Sequence, residues 1–242
     1  MTSATYTRYE VLRCFRNWRF FVFSLAFPLI LFYLVAGSNR HATTEGIKFP
    51  LYYMTGMMSW GAMTAAIAGG ARIAAERSVG WTRQMRLTPL SVRTYFQAKI
   101  LAGYLLACCS IILLSLAGLS LGVHLSVGNW LTVVGLILVG LIPFTVLGIV
   151  LGHLLSVDSM GPALGGVTTL FALLGGSFGP LAQHGAIHSL IECIPSYWLV
   201  QAGKIAYTGH GWPAQAWVVV AAWTVVLVRV ARLVYRRDTA RV

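Results

Sequence analysis

His184, His188 and Glu192 come closest to the spacing of a metal site. On one helix, steps of four place all three on a single face, and imidazole with carboxylate is an ordinary zinc donor set. Gly185 and Pro195 weaken that helix, and the H-E-x-x-H pair of a membrane metalloprotease is absent from the sequence. The pattern reads better as the polar face of an interfacial hairpin, with no metal. A proton relay would need ionisable side chains at membrane depth. The six acids, Glu10, Glu45, Glu76, Asp158, Glu192 and Asp238, instead fall in loops or at the ends of apolar runs. His153 closes one of those runs and reads as a solvated or capping histidine rather than a pH switch. The sequence holds no G-x-x-x-x-G-K-[ST] phosphate loop either, since Gly203-Lys204 is followed by Ile205 and lacks the glycine frame before it. The chain is not expected to be an enzyme by itself or to bind a cofactor. If it pumps, its motor is a separate subunit.

The elements around these residues read as membrane spans. Of 242 residues, 57% are hydrophobic and 10% charged, where a soluble domain carries roughly 25% charged residues. The net charge of +12 is unevenly placed. Arg8, Arg13, Arg16 and Arg19 precede the first apolar run, and Arg77, Arg83, Arg86, Arg93 and Lys99 follow the second. Arg229, Arg232, Arg236, Arg237 and Arg241 close the chain, while Arg40, Lys48 and Lys204 occupy the alternate loops. This positive-inside asymmetry predicts a multi-pass protein of the cell membrane with both termini cytoplasmic. It also assigns the basic charge to membrane lipid rather than to nucleic acid. Cys14, Cys108, Cys109 and Cys193 fall on different sides or within a span, and imply neither a disulfide nor a metal cage.

The expected fold is all-α and integral to the membrane, a single transmembrane domain over 1–242. Six transmembrane helices are placed at 20–37, 51–75, 95–122, 130–154, 160–182 and 213–234, each about the ~20 residues that cross the hydrocarbon layer. Residues 1–19 predict an amphipathic interfacial helix, with Tyr9, Leu12, Phe15 and Trp18 at three-residue steps and arginines elsewhere. The run from Phe20 is long for a cleaved signal segment, and is expected to stay as the first span. Residues 183–212 are too polar for a span and too apolar for a plain loop, and Pro195 and Gly203 break them. They predict an outer re-entrant helical hairpin between spans five and six. Spans two and five are the richest in small residues, which permit close helix contact in lipid.

Between spans two and three lies a polar stretch, ERSVGWTRQMRLTPLSVRTYFQAK at 76–99. Its order of Glu76, Gly80, Trp81, Thr82, Leu87-Thr88-Pro89, Tyr95 and Lys99 resembles the cytoplasmic coupling segment of the permease subunits of ABC exporters of the second type. That family includes drug-resistance exporters of the daunorubicin type and exporters of polysaccharide or lipid. Here Trp81 interrupts the usual Gly-Thr, and Arg83 stands where an acid often follows. Gly175-x-x-x-x-Pro180-Leu181 and Pro195-Ser196-Tyr197-Trp198 also look like the family, and the resemblance runs over nearly the whole chain.

The resemblance implies a transmembrane subunit of an ATP-driven exporter. Two ATPase subunits carrying ATP and Mg2+ would dock on a coupling helix in the 76–94 loop, through Glu76, Gly80, Trp81, Arg83, Gln84, Met85, Leu87, Thr88 and Pro89. Trp81 and Met85, four apart, would form an apolar knob on a basic background, and Arg72, one turn before Glu76, would pair with it. The plain alternative is that Trp81 anchors the loop in the headgroups. A second permease subunit, identical or related, would meet Gly61, Ala65 and Gly69 of span two and Gly165 and Gly176 of span five. Phe27, Tyr53, Met57, Trp60, Phe171 and Phe178 would line a pathway for a hydrophobic or amphipathic substrate, a drug-like molecule or lipid. A polysaccharide or glycolipid exporter, and a membrane scaffold or metal-dependent membrane enzyme, are the competing readings.

Overall fold

A computed structural model describes residues 3–16, 18–44, 46–81, 84, 87–88, 90–179, 186–209 and 211–240. The chain opens with helix α1 (Ser3–Arg16) and helix α2 (Trp18–Ser38), which contains Pro28. A two-residue hairpin, β1 (Thr43–Thr44) against β2 (Ile47–Lys48), leads into α3 (Phe49–Ala71) and the short α4 (Ile73–Ser78). Beyond the loop come α5 (Val92–Ser120), α6 (Val127–Gly140), α7 (Ile142–Leu154) and α8 (Val157–Gly175). The chain closes with α9 (Ala186–Glu192), α10 (Pro195–Thr208) and α11 (Ala214–Ala240). Ser91, Ser126 and Ser156 cap α5, α6 and α8 by accepting a backbone N–H three residues on, the usual role of serine before a first helical turn.

The centre of the bundle is α3. Nearly all of its residues are buried, and it packs against α2, α5, α7, α8 and α10. Glycines set how close its neighbours come. A Cβ on Gly69 would stand 2.6 Å from the Gly103 Cα of α5, and one on Gly148 of α7 would stand 2.1 Å from the Ile67 carbonyl oxygen. The backbones are in direct contact there, which in lipid replaces the missing hydrophobic drive between helices with dense packing.

Among the described residues, four helical stretches are long and apolar enough to cross a membrane: Val92–Ser120, Val127–Leu154, Val157–Gly175 and Ala214–Asp238. The second joins α6 and α7 across Leu141. Six were expected, and α2 and α3 are not among the four. For α3 the reason is its place: enclosed by protein on every side, it is built from Gly, Ala, Ser, Thr, Met and Tyr rather than from the Leu, Ile and Val that meet acyl chains. In α2 the described apolar stretch is Leu25–Ser38.

The face of α1 that packs differs from the expected stripe. Tyr6, Glu10 and Cys14, at steps of four, are its buried residues, while Tyr9 and Leu12 are 62% and 46% exposed. The side chains of Phe15 and Trp18 lie outside the described residues. Tyr9 and Leu12 are thus left outside the packing, and the protein-facing side of α1 carries an acid between Tyr6 and Cys14.

Candidate functional site

Arg72 breaks the α3 helix, and the chain restarts as α4. Two consecutive residues of α4, Glu76 and Arg77, enter two separate ionic clusters. Glu76 is 1% exposed. Its Oε2 accepts from the Tyr95 hydroxyl at 2.7 Å, and its Oε1 accepts from Arg13 Nη1 at 3.1 Å and from Lys99 Nζ. Lys99 is fully buried and also donates to Glu10 Oε1 at 2.5 Å. Tyr95 and Lys99 sit four apart on α5 and share a face, with Lys99 Nζ 5.3 Å from the Tyr95 ring centre. Two carboxylates thus meet two cations. Arg72, expected on Glu76, donates instead to Cys14 Sγ and to the Arg13 carbonyl oxygen, the latter at 3.2 Å. Lys99 reaches the carboxylate across the helix interface and leaves Arg72 free to tie down the end of α1. Burial, and then the Glu10 and Glu76 carboxylates, hold the Tyr6 phenol protonated well above its ordinary range. Burial likewise raises the Cys14 thiol, against the pull of the Arg72 guanidinium.

Arg77 turns the other way. Its Nε and Nη2 donate to Asp238 Oδ2 and Oδ1, both at 2.8 Å, and its Nη1 donates to the carbonyl oxygens of His153 at 2.6 Å and Gly152 at 3.4 Å. Those carbonyls belong to the last turn of α7, where helices lack internal donors. His153 Nδ1 lies 3.1 Å from Asp238 Oδ2, with the rings of Phe96 and Tyr235 packed edge-on beside it. His153 is 5% exposed, so of the solvated or capping histidine expected from sequence the solvated alternative is corrected: the residue is buried at the end of α7, which α11 covers as it runs on to Ala240.

Immediately past this double clamp the chain is uncovered. Val79 is 71% exposed, Trp81 36% and Leu87 90%, with Gly80 in the left-handed region at φ +70° between the first two. Gln84 and Thr88 are exposed. Arg83, Met85 and Pro89 lie outside the described residues, and with them the expected Trp81–Met85 pair.

The residues expected to meet a second subunit separate into two groups. Ala65 is 1% exposed, Cβ positions on Gly61 and Gly69 are already filled by Ser110 and Gly103 of α5, and Gly176 is a buried left-handed C-cap at φ +77°. Gly61, Ala65 and Gly69 therefore make close contacts within the chain. Gly165 is exposed, with nothing within 4 Å of a Cβ placed there. Of the pathway candidates, Phe27, Trp60 and Phe178 come together, with ring centres 5.6 Å and 4.9 Å from Trp60. Phe171 packs on Phe144, Tyr53 stacks on Phe49, and Met57 is fully buried. Trp60 Nε1 is buried with no hydrogen-bond partner among the described residues. In the outer segment, His188 Nε2 lies 3.2 Å from Glu192 Oε1, and His184 is outside the described residues. No metal-holding group of three His, Cys, Asp or Glu occurs among the described residues.

A family model described as "ABC-2 family transporter protein" matches residues 37–233. The chain belongs to the ABC-2 transporter family. It is also 28% identical over 191 residues to the "Putative transport permease YvfS" of Bacillus subtilis (strain 168), covering 78% of each protein. The chain is therefore the permease component of an ABC-2 type transporter, a membrane protein, and an ABC-2 permease implies a partner ATPase in general. Glu76, Tyr95 and Lys99 fall inside the matched stretch, whereas Glu10 and Arg13 precede it and Asp238 follows it. Sequence reasoning grouped Glu76, Tyr95 and Lys99 in one segment but did not find Glu10 as the second acid on Lys99, or Asp238 as the counter-charge of Arg77. The signal available was a single acid on an otherwise basic helix, and a single acid in an otherwise basic C-terminal run.

Proposed function

We propose that this ABC-2 permease pairs with a second permease subunit, identical or related, and that a separate ATPase carrying ATP and Mg2+ docks on the loop after α4 to drive export. The observation that carries this reading is a change of character within a few residues. Glu76 and Arg77 fasten the stem of the loop to α1, α5, α7 and α11, while Val79, Trp81 and Leu87 beyond it stay exposed. A fastened stem with an apolar tip suits a part that is pushed by a partner. An exposed Trp also suits the centre of a protein interface.

In this reading α2 and α3 are the two remaining spans of six, both termini are cytoplasmic, and α9 and α10 form the outer hairpin. The substrate is hydrophobic or amphipathic, a drug-like molecule or a lipid. The Phe27–Trp60–Phe178 cluster supports that class, since it offers aromatic faces and one unpaired indole N–H rather than charge. Gly165, open on α8, is the point of approach for the second permease subunit.

The test is Trp81→Asp in the full complex. The expected result is loss of ATPase co-purification, or retained binding with transport uncoupled from ATP hydrolysis, while the variant keeps its own unfolding temperature. Unchanged transport and unchanged co-purification would remove the docking assignment.

A further inference from the structure

Thr7, Arg8, Val11 and Leu12 of α1 face Thr94, Gln97 and Leu101 of α5 across a groove of about 590 Å3. That is the size of a small-molecule site, ~300–1,000 Å3. Its lining is graded. Thr94, Gln97 and Leu101 occupy one face of α5 and run from its polar first turns into the apolar stretch that begins at Ile100. Val11 and Leu12 match the apolar part from α1, and Thr7 and Arg8 the polar part. The groove thus straddles the level at which the α5 span enters hydrocarbon. Arg8 is exposed and makes no ion pair among the described residues. The nearby acids are already committed, Glu10 to Lys99 and Glu76 to Lys99, Arg13 and Tyr95. Among the described residues no carboxylate lines the groove.

We propose that this groove binds one anionic phospholipid, its phosphate at Arg8 beside Thr94 and Gln97 and the first carbons of its chains along Val11, Leu12 and Leu101. A guanidinium with neutral hydroxyl and amide donors matches a phosphodiester. The absence of a lining acid leaves nothing for the ammonium of a zwitterionic headgroup. Free phosphate would fill the polar end and leave the apolar end wet. The opposite face of α1 carries Tyr6 and Glu10 into the buried cluster, so the lipid would brace from outside the helix that Lys99 holds from inside.

The experiment is native mass spectrometry of the full-length protein released from nanodiscs containing phosphatidylglycerol and phosphatidylcholine in equal amounts. One phosphatidylglycerol should remain bound, in at least about fivefold preference to phosphatidylcholine. Arg8→Ala should weaken retention about fivefold, the effect of ~1 kcal/mol for one basic residue at an anionic surface. Leu101→Trp should abolish retention by filling the groove. Arg16→Ala, an exposed arginine of the same helix that does not line the groove, should change nothing. Equal retention of the two lipids, equal losses in the Arg8 and Arg16 variants, or displacement of the lipid by inorganic phosphate would each overturn the proposal.

Discussion

Lys99→Met removes the one ammonium that joins Glu10 to Glu76. The methionine fits the space of the lysine stem but leaves two carboxylates without their shared cation. Arg13 still reaches Glu76, but its side chain is 55% exposed, so it offsets little of the loss. Glu10, 4% exposed, keeps no cation among the ion pairs described. Breaking one partner out of a buried pair costs about 3–5 kcal/mol, and for a chain of this length each kcal/mol lowers Tm by about 2–4 °C. Thermal unfolding of the purified permease should therefore drop by about 6–20 °C. The triple variant E10Q/E76Q/K99M separates the causes, since amides need no counter-charge and hydrogen-bond among themselves. It should regain at least half of the loss. A Lys99→Met protein within about 2 °C of the parent, or a triple variant no better than the single one, would refute the claim that the cluster stabilises by balancing buried charge.

Arg77→Ala and Asp238→Ala remove two ends of one bidentate contact, so their effects should not add. A double-mutant cycle read by denaturant unfolding should give a coupling of about 1–3 kcal/mol; additivity within about 0.3 kcal/mol would mean that α11 is not held through Arg77. Gly148→Ala should be poorly tolerated, costing about 1–3 kcal/mol as an overpacked contact, because its Cβ would meet the Ile67 carbonyl, whereas Gly165→Ala should be neutral to unfolding. Gly165→Trp should leave the unfolding temperature unchanged and shift the protein toward monomer in light scattering; an unchanged oligomer would remove α8 from the proposed subunit contact.

The apolar runs, the basic loop and the order of elements were legible because each is a local property of the chain. The facing of helices was not. In water an apolar stripe identifies the core, but in lipid both the protein side and the outer side of a helix are apolar. That is why Tyr9 and Leu12 pointed away from the packed face of α1, and why the small residues of α3 did not declare that their partner was α5 of the same chain. Glu10 and Lys99 lie 89 residues apart, and no spacing rule links them. The i, i+4 rule favoured Arg72 for Glu76, and tertiary packing supplied a closer, fully buried cation.

Gly69 and Gly70 are neighbours in sequence that touch opposite helices, Gly103 of α5 on one side and Gly148 and Ile149 of α7 on the other. With backbone against backbone, no flexible side chain lies between them to take up a displacement. The three helices make a slab with almost no compliance, and Glu76 and Arg77 extend the slab's grip one turn further, to the edge of the exposed tip. A push on that tip, as the proposed docking requires, would be expected to tilt the whole slab rather than bend one helix. The spans outside it are far less enclosed, with that of α8 17% buried and that of α11 11% buried. If the ATPase docks on the loop as proposed, such a design would pass its stroke into the bundle with little lost in transit.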